Sequence, residues 1–189
     1  MKFSIITPTL QRESLIRCSE SLDSQSYQDW EHIVAIDAGD INRDITRRLR
    51  VEHRMIICFG VRFANFGNTP RHLAWKLTTG DYCLYLDDDN YFTDDWCLEN
   101  IADALNAAGS PPFATFPILR FGVPFHIHPP GLCQTDSANM VIRRDIAQWP
   151  DIPDYTADGI LAARLYAEHG CIPMATPPIV TVPVQSKGE

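Results

Sequence analysis

The sequence has no Cys-x-x-Cys pair. Its six cysteines, Cys18, Cys58, Cys83, Cys97, Cys133 and Cys171, are dispersed, which signals neither a zinc site nor a disulfide framework. Several lie in apolar runs, where a free thiol behaves as a small hydrophobe. Neither G-x-G-x-x-G nor G-x-x-x-x-G-K-[ST] occurs, so the common dinucleotide and P-loop phosphate cradles are missing. If phosphates bind, metal and arginine must hold them. A basic stripe is also lacking, with 16 Lys and Arg against 24 Asp and Glu for a net charge of −8. That sign argues against a nucleic-acid partner. No apolar run reaches the ~18 residues of a membrane span, and Met1 opens no charged leader with a long apolar segment. A soluble cytoplasmic protein with no integral membrane segment is therefore expected.

What is present suits one domain. A chain of 189 residues with 45% hydrophobic content can bury a substantial core, and its charges are too dispersed to suggest extensive disorder. The most informative stretch is Tyr82-Cys83-Leu84-Tyr85-Leu86-Asp87-Asp88-Asp89-Asn90. Five residues read as a buried strand, and three carboxylates stand at its end. Side chains alternate along a strand, so Asp87 and Asp89 point the same way if the extended geometry persists. Adjacent carboxylates repel, and a hard divalent cation with oxygen ligands, Mg²⁺ or Mn²⁺, offsets that repulsion. A solvated acidic loop is the simpler alternative. An EF-hand starting at Asp87 fails, because Tyr91 and Phe92 occupy its fifth and sixth positions. A phosphatase with Asp87 as nucleophile remains open.

The surrounding pattern is strand and helix in alternation. Phe3 to Thr7 reads as a first strand stopped by Pro8, followed by a helix across Glu13 to Gln25. Trp30 to Ile36 and Met55 to Phe59 are further strands, with a charged helix from Ile41 to Glu52 between them. Thr69 to Leu77 is predicted as a short helix with Pro70 in its first turn. Beyond the acidic cluster, Asp94 to Ala107 reads as an amphipathic helix with apolar contacts from Trp96, Ile101 and Leu105. Strands follow at Phe113 to Phe116, Ile118 to Phe121 and Ser137 to Arg143, with a His-containing loop from Gly122 to Gly131. Thr156 is expected to cap a last helix that Gly170 stops, ahead of a Pro-rich strand at Pro177 to Pro183. The alternation predicts an α/β fold with a largely parallel sheet. In such sheets ligands sit at the carboxyl ends of the strands, so Thr7 to Thr9, Asp37 to Asp40 and Asp87 to Asn90 should converge.

The order of these motifs resembles the family 2 glycosyltransferases. Ser4-Ile5-Ile6-Thr7-Pro8-Thr9 is similar to the family's first strand, and Ile36-Asp37-Ala38-Gly39-Asp40 to its V-D-D-G-S turn. Gly67 to Ala74 resembles G-x-x-x-A-R-N, and Leu86 to Asn90 resembles L-D-x-D-D. The helix beginning Thr156-Ala157-Asp158 and running through Arg164-Leu165 to Gly170 is similar to the family's E-D-x-x-L-x-x-R-L-x-x-x-G. Ala38, His72, Asn90 and Ala157 depart from these patterns.

The resemblance implies a GT-A fold, meaning a Rossmann-like, mostly parallel central sheet flanked by helices with a small acceptor-side region. It implies a single domain over 1–189, with 1–90 binding the nucleotide-sugar and 91–189 the acceptor. Thr7, Pro8, Thr9, Asp37, Arg71, Asp87 and Asp88 are then expected around the nucleotide, with Asp37 on the base and Arg71 near the phosphates. Asp89 and Asp87 are expected to hold Mn²⁺ or Mg²⁺, and His126 or His128, with His128 as the candidate, to complete the metal shell. Asp158 is expected to be the base that removes the proton of a saccharide or other hydroxyl acceptor. The implied reaction is inverting transfer from a UDP-sugar. The alternative readings are a catalytically silent nucleotide-sugar-binding module and the Asp-nucleophile phosphatase.

Overall fold

The computed structural model of the protein describes residues 1–131 and 135–184; Cys133 lies outside them. The strands are β1 (Phe3–Thr9), β2 (Trp30–Ile36), β3 (Arg54–Cys58), β4 (Tyr82–Tyr85), β5 (Tyr91–Phe92), β6 (Phe113–Thr115), β7 (Ile118–Arg120), β8 (Val123–Phe125), β9 (Met140–Arg143), β10 (Ile172–Pro173) and β11 (Val180–Val182). The helices are α1 (Ser14–Asp23), α2 (Arg43–Thr46), α3 (Asn68–Trp75), α4 (Cys97–Ala107) and α5 (Ala157–His169). Seven strands form one sheet in the order β10-β6-β9-β4-β1-β2-β3. All its pairings are parallel except those of β9, which runs antiparallel to β4 and β6. A second sheet, β5-β11-β7-β8, lies beside it. None of the helices among the described residues is long and apolar enough to cross a membrane.

Alternation along the central strands divides the core in two. Phe3 and Ile5 of β1 and Tyr82 and Leu84 of β4 pack with Leu98, Ile101 and Leu105 of α4. Ile6, Cys83 and Tyr85 face the other way, onto Ala74 of α3 and Leu161 and Leu165 of α5. Both faces of β1 and β4 are therefore apolar, which is why these strands read as continuous hydrophobic runs.

Several expectations are corrected. Strand β1 continues through Pro8 to Thr9, because its pairing with β4 ends at Ile6 and Tyr85. Pro8 sits where β1 has a partner on one side only, and there a missing N–H is tolerated. The helix expected from Ile41 to Glu52 shrinks to Arg43–Thr46, capped by Asn42 Oδ1 accepting from Asp44 N at 3.0 Å. Only Ile45 and Leu49 of that segment are buried hydrophobics, and a charged helix with so little to bury does not propagate. Trp96 precedes α4 and is 59% exposed, so it makes no core contact of the kind expected. The strand expected from Ser137 begins only at Met140, after a 3₁₀ turn at Ser137–Asn139. The loop expected from Gly122 opens as β8 instead, joined to β7 through Phe121 and Gly122, both at positive φ. That pair makes the two-residue hairpin turn whose twist matches the strands. Thr156 does not cap α5 with its side chain. Its N–H and hydroxyl both donate to Asp154 Oδ1 at 2.8 Å.

At the amino edge of the sheet, Gly80 N donates to Ser4 Oγ at 2.9 Å and Ser4 Oγ donates to Glu31 Oε1 at 2.6 Å. Burial alone would raise the Glu31 carboxyl, but hydrogen bonds from Ser4, Thr79 and Lys2 outweigh it and hold the group down to about 2. A Cβ on Gly80 would lie 2.7 Å from Ser4 Oγ, 2.8 Å from Lys2 O and 2.9 Å from the Phe3 carbonyl carbon. Two of these neighbours are backbone and cannot turn aside. Gly80→Ala is expected to destabilise the fold by about 1–3 kcal/mol, seen as a lower urea midpoint at unchanged slope.

Candidate active site

The carboxyl ends of β1, β2 and β4 do carry the predicted polar residues, but not all of them face a ligand. Thr7 is fully buried, with its Oγ1 3.0 Å from His32 Nε2. Arg54 Nε donates to His32 Nδ1 at 3.0 Å, so the imidazole proton resides on Nε2 and points at Thr7. Burial, then the Arg54 charge, push the His32 pKa well below the ordinary value and keep the ring neutral. Thr7 thus serves the core. Thr9 Oγ1 donates to Asp88 Oδ2 at 2.6 Å and accepts from Gln11 N at 2.7 Å. Pro8 packs where a Cβ on Gly67 would meet it, and Gly67 holds φ +76° at the start of α3.

The acidic run splits by burial. Beyond Tyr85 the chain turns, with Asn90 N donating to Asp87 O at 3.0 Å. The Asp87, Asp88 and Asp89 side chains are 40%, 3% and 17% exposed. Asp88 points inward and binds Thr9 Oγ1 and the Arg12 guanidinium, whose Nε lies 3.3 Å away. Expected beside the nucleotide, it is instead turned into the protein and ties β4 to the end of β1. Asp87 pairs with Arg71, and Asp89 lies 3.4 Å from Arg12 Nη2. Burial, then the neighbouring Asp87 charge, raise the Asp89 carboxyl above its usual range despite Arg12.

Asp37 is buried, and its Oδ1 accepts from Phe63 N at 2.6 Å. This is a long-range bond to the segment after β3, not a local Asx turn. Arg71 is held from three sides. Its Nη1 donates to Phe66 O at 2.8 Å, its Nη2 pairs with Asp87, and its guanidinium lies 4.7 Å from the Trp149 ring centroid. Trp149 is fixed in turn by Nε1 donating to Asn68 Oδ1 at 2.9 Å and by Tyr85 at 4.6 Å between ring centroids.

Arg71, Asp87 and Asp158 line one cleft of about 270 Å³, together with Arg120, Asp136 and Trp149. Asp158 Oδ1 accepts from Gly159 N at 2.7 Å in the first turn of α5. Desolvation, reinforced by the Asp136 and Asp87 charges, nevertheless lifts its carboxyl to about 6. Asp136 is raised too, by burial first and then by Asp87, against Arg120 and Arg71. Asp136 and Asp158 therefore share an environment that disfavours negative charge.

The donor set at the strand end is all oxygen, which suits a hard divalent cation held by one or two carboxylates and completed by phosphate oxygens. Asp89 and Asp87 are the protein atoms that fit it, since Asp88 is committed inward. The expected third ligand is not brought to them. Among the described residues no group of three His, Cys, Asp or Glu is placed to hold a metal ion. The His128 ring stands edge-on to Tyr166 of α5 at 5.9 Å, and His126 Nε2 lies 3.2 Å from Thr115 Oγ1. Sequence reasoning also missed Arg12, Arg120, Asp136, Asn68 and Trp149. The three adjacent acids read as calling for a divalent cation, and nothing in the sequence says which arginines fold onto them.

Asp88→Ala removes the acceptor for Thr9 and the buried partner of Arg12. A loss of about 2 kcal/mol in urea unfolding is expected, with Asp88→Asn, which retains an acceptor, losing less.

Comparison with known proteins gives a family model, described as Glycosyl transferase family 2, that matches residues 4–164. The poly(ribitol-phosphate) beta-glucosyltransferase of Bacillus spizizenii is 33% identical over 97 residues, covering 48% of this chain and 15% of that protein. S. aureus TarS 1-349, solved in complex with UDP-GlcNAc, superposes with TM-score 0.78 at 15% identity over 100% of this chain and 60% of that one. Mannosyltransferase PcManGT from Pyrobaculum calidifontis, in complex with GDP-Man and Mn²⁺, gives 0.74 at 16% identity over 99% of this chain and 58% of that one. This chain therefore spans less than two thirds of each of these proteins, and the likeness to the solved structures is one of GT-A fold.

Proposed function

The chain belongs to glycosyl transferase family 2, and from that premise we propose that it moves a sugar from a UDP-sugar to an acceptor hydroxyl, with inversion at the anomeric carbon and with Mn²⁺ or Mg²⁺ as cofactor. The observation that carries this reading is the meeting of Arg71, Asp87 and Asp158 in one cleft. In this reading residues 1–90 hold the donor and 91–189 the acceptor, so the cleft joins the two halves. Asp37, whose Oδ1 accepts from Phe63 N, receives the base. The relatives that bind UDP-GlcNAc and GDP-Man support a nucleotide-sugar donor.

Asp158 accepts the proton of the acceptor hydroxyl while that oxygen attacks the anomeric carbon. The bond from that carbon to the phosphate oxygen breaks, and UDP departs with the electron pair. A carboxyl at about 6 is mostly ionised at neutral pH yet more basic than an ordinary aspartate, which suits a general base. Arg71 is fixed by Phe66 and Trp149 before any substrate arrives, so its charge faces the diphosphate without reorganisation. A bound divalent cation would add Lewis-acid stabilisation of the leaving diphosphate, held by Asp89 and Asp87.

Calorimetric titration with UDP is expected to show binding that strengthens with Mn²⁺ and loses that enhancement in Asp89→Ala. Failure of UDP, GDP and other nucleotides to bind under either condition would sink the reading, and binding without turnover of any UDP-sugar would leave a silent module. In the active enzyme kcat/KM should fall as pH drops through about 6, because the ionised carboxylate is the competent form. Asp158→Asn should lower kcat by about 10²–10⁴ without lowering the melting temperature at neutral pH. The raised carboxyl makes its charged form a cost to the fold above about pH 6, and the amide removes that cost.

A further inference from the structure

Two large aromatic side chains stand at the cleft with most of their surface in water, Phe66 at 61% and Tyr155 at 77% exposure. Their rings meet edge to face, with centroids 5.5 Å apart and planes at 79°. Both loops are held by polar bonds. The Phe66 carbonyl is anchored by Arg71 Nη1 at 2.8 Å. The loop before α5 is bolted to α3 by Asn68 Nδ2, which donates to Ile152 O at 2.7 Å and Asp154 O at 2.9 Å. Thr69 Oγ1 adds a bond to Asp151.

Phe66 also adopts φ +59°, with Ala64 at +54°, a region that bulky residues avoid. The fold thus holds Phe66 in an unfavourable backbone state with its ring exposed. The ring and Tyr155 border the same cleft as Asp158, Asp136 and Arg120, so apolar faces stand beside hydrogen-bonding groups. A pyranose has this dual character: its C–H face is apolar and its rim carries hydroxyls. The cleft encloses about 270 Å³, and both rings border it.

Resting on the glycosyl-transfer reading, we propose that Phe66 and Tyr155 form an aromatic rim that stacks on a pyranose ring of the acceptor and orients its hydroxyl toward Asp158. An open-chain polyol has no such face to offer. The rim selects ring-shaped acceptors and contributes nothing to nucleotide affinity.

The test is saturation-transfer NMR on the whole chain with methyl pyranosides of glucose, galactose, mannose and N-acetylglucosamine, and with ribitol as open-chain control, each with and without UDP. At least one pyranoside is expected to show transfer to its ring protons well above that of ribitol. Phe66→Asn, chosen because Asn tolerates the left-handed region, and Tyr155→Ser should each weaken that binding about tenfold, with UDP affinity and melting temperature unchanged. Absence of transfer to every pyranoside, transfer to ribitol that equals it, or transfer that survives in the double variant would overturn the rim. Failure of the wild type to bind UDP would count against the glycosyl-transfer reading alone, since the pyranoside titration without UDP still reports on the rim.

Discussion

Three consecutive carboxylates cannot share the end of one buried strand unless positive charge is brought to them, and the site is arranged around that constraint. Two arginines from different elements answer it. Arg12, from the turn after β1, takes Asp88 and reaches Asp89, while Arg71, from α3, takes Asp87. Each pairing also fastens a loop: the first closes β1 against β4 through Thr9, the second holds Phe66 and draws in Trp149. Charge compensation and loop geometry are therefore one set of contacts.

The compensation is uneven, and that unevenness divides the site by chemistry. Asp88 is buried and fully engaged, so it acts as structure. Asp89, Asp136 and Asp158 all sit above the ordinary carboxylate range because burial removes water faster than the arginines replace its stabilisation. A site with excess negative character near the strand end favours a cation, and a raised carboxyl across the cleft favours proton transfer. Both follow from desolvation acting on similar side chains with different neighbours.

The aromatic residues show a second division. Trp149 and Tyr85 are buried and rigidify Arg71 from behind, whereas Phe66 and Tyr155 are exposed and leave the stability of their loops to polar bonds. Rings of one type serve the scaffold and rings of the other serve the surface of the cleft.

The sequence alone determined the alternation of strands and helices, the acidic strand end, Arg71, and the position of Asp158 in the first turn of the last helix. The alternation and the acidic strand end are local, set by hydrophobic period and turn residues and read directly from neighbouring residues, whereas Arg71 and Asp158 are singled out by the motif order that the chain shares with the family. It also placed Thr7 and Asp88 with the ligand-facing set, because a motif records which residues are polar and not which way they turn. Only the tertiary structure decided that Thr7 goes to His32, that Asp88 goes to Thr9 and Arg12, and that His128 goes to Tyr166 instead of the carboxylates. It likewise cut the charged helix after β2 to one turn, since its length depended on what the sheet offered for it to bury. The convergence of Arg71, Asp87 and Asp158 joins residues up to 87 positions apart (158 − 71), and such long-range pairing is settled by strand order and packing, which no single segment encodes.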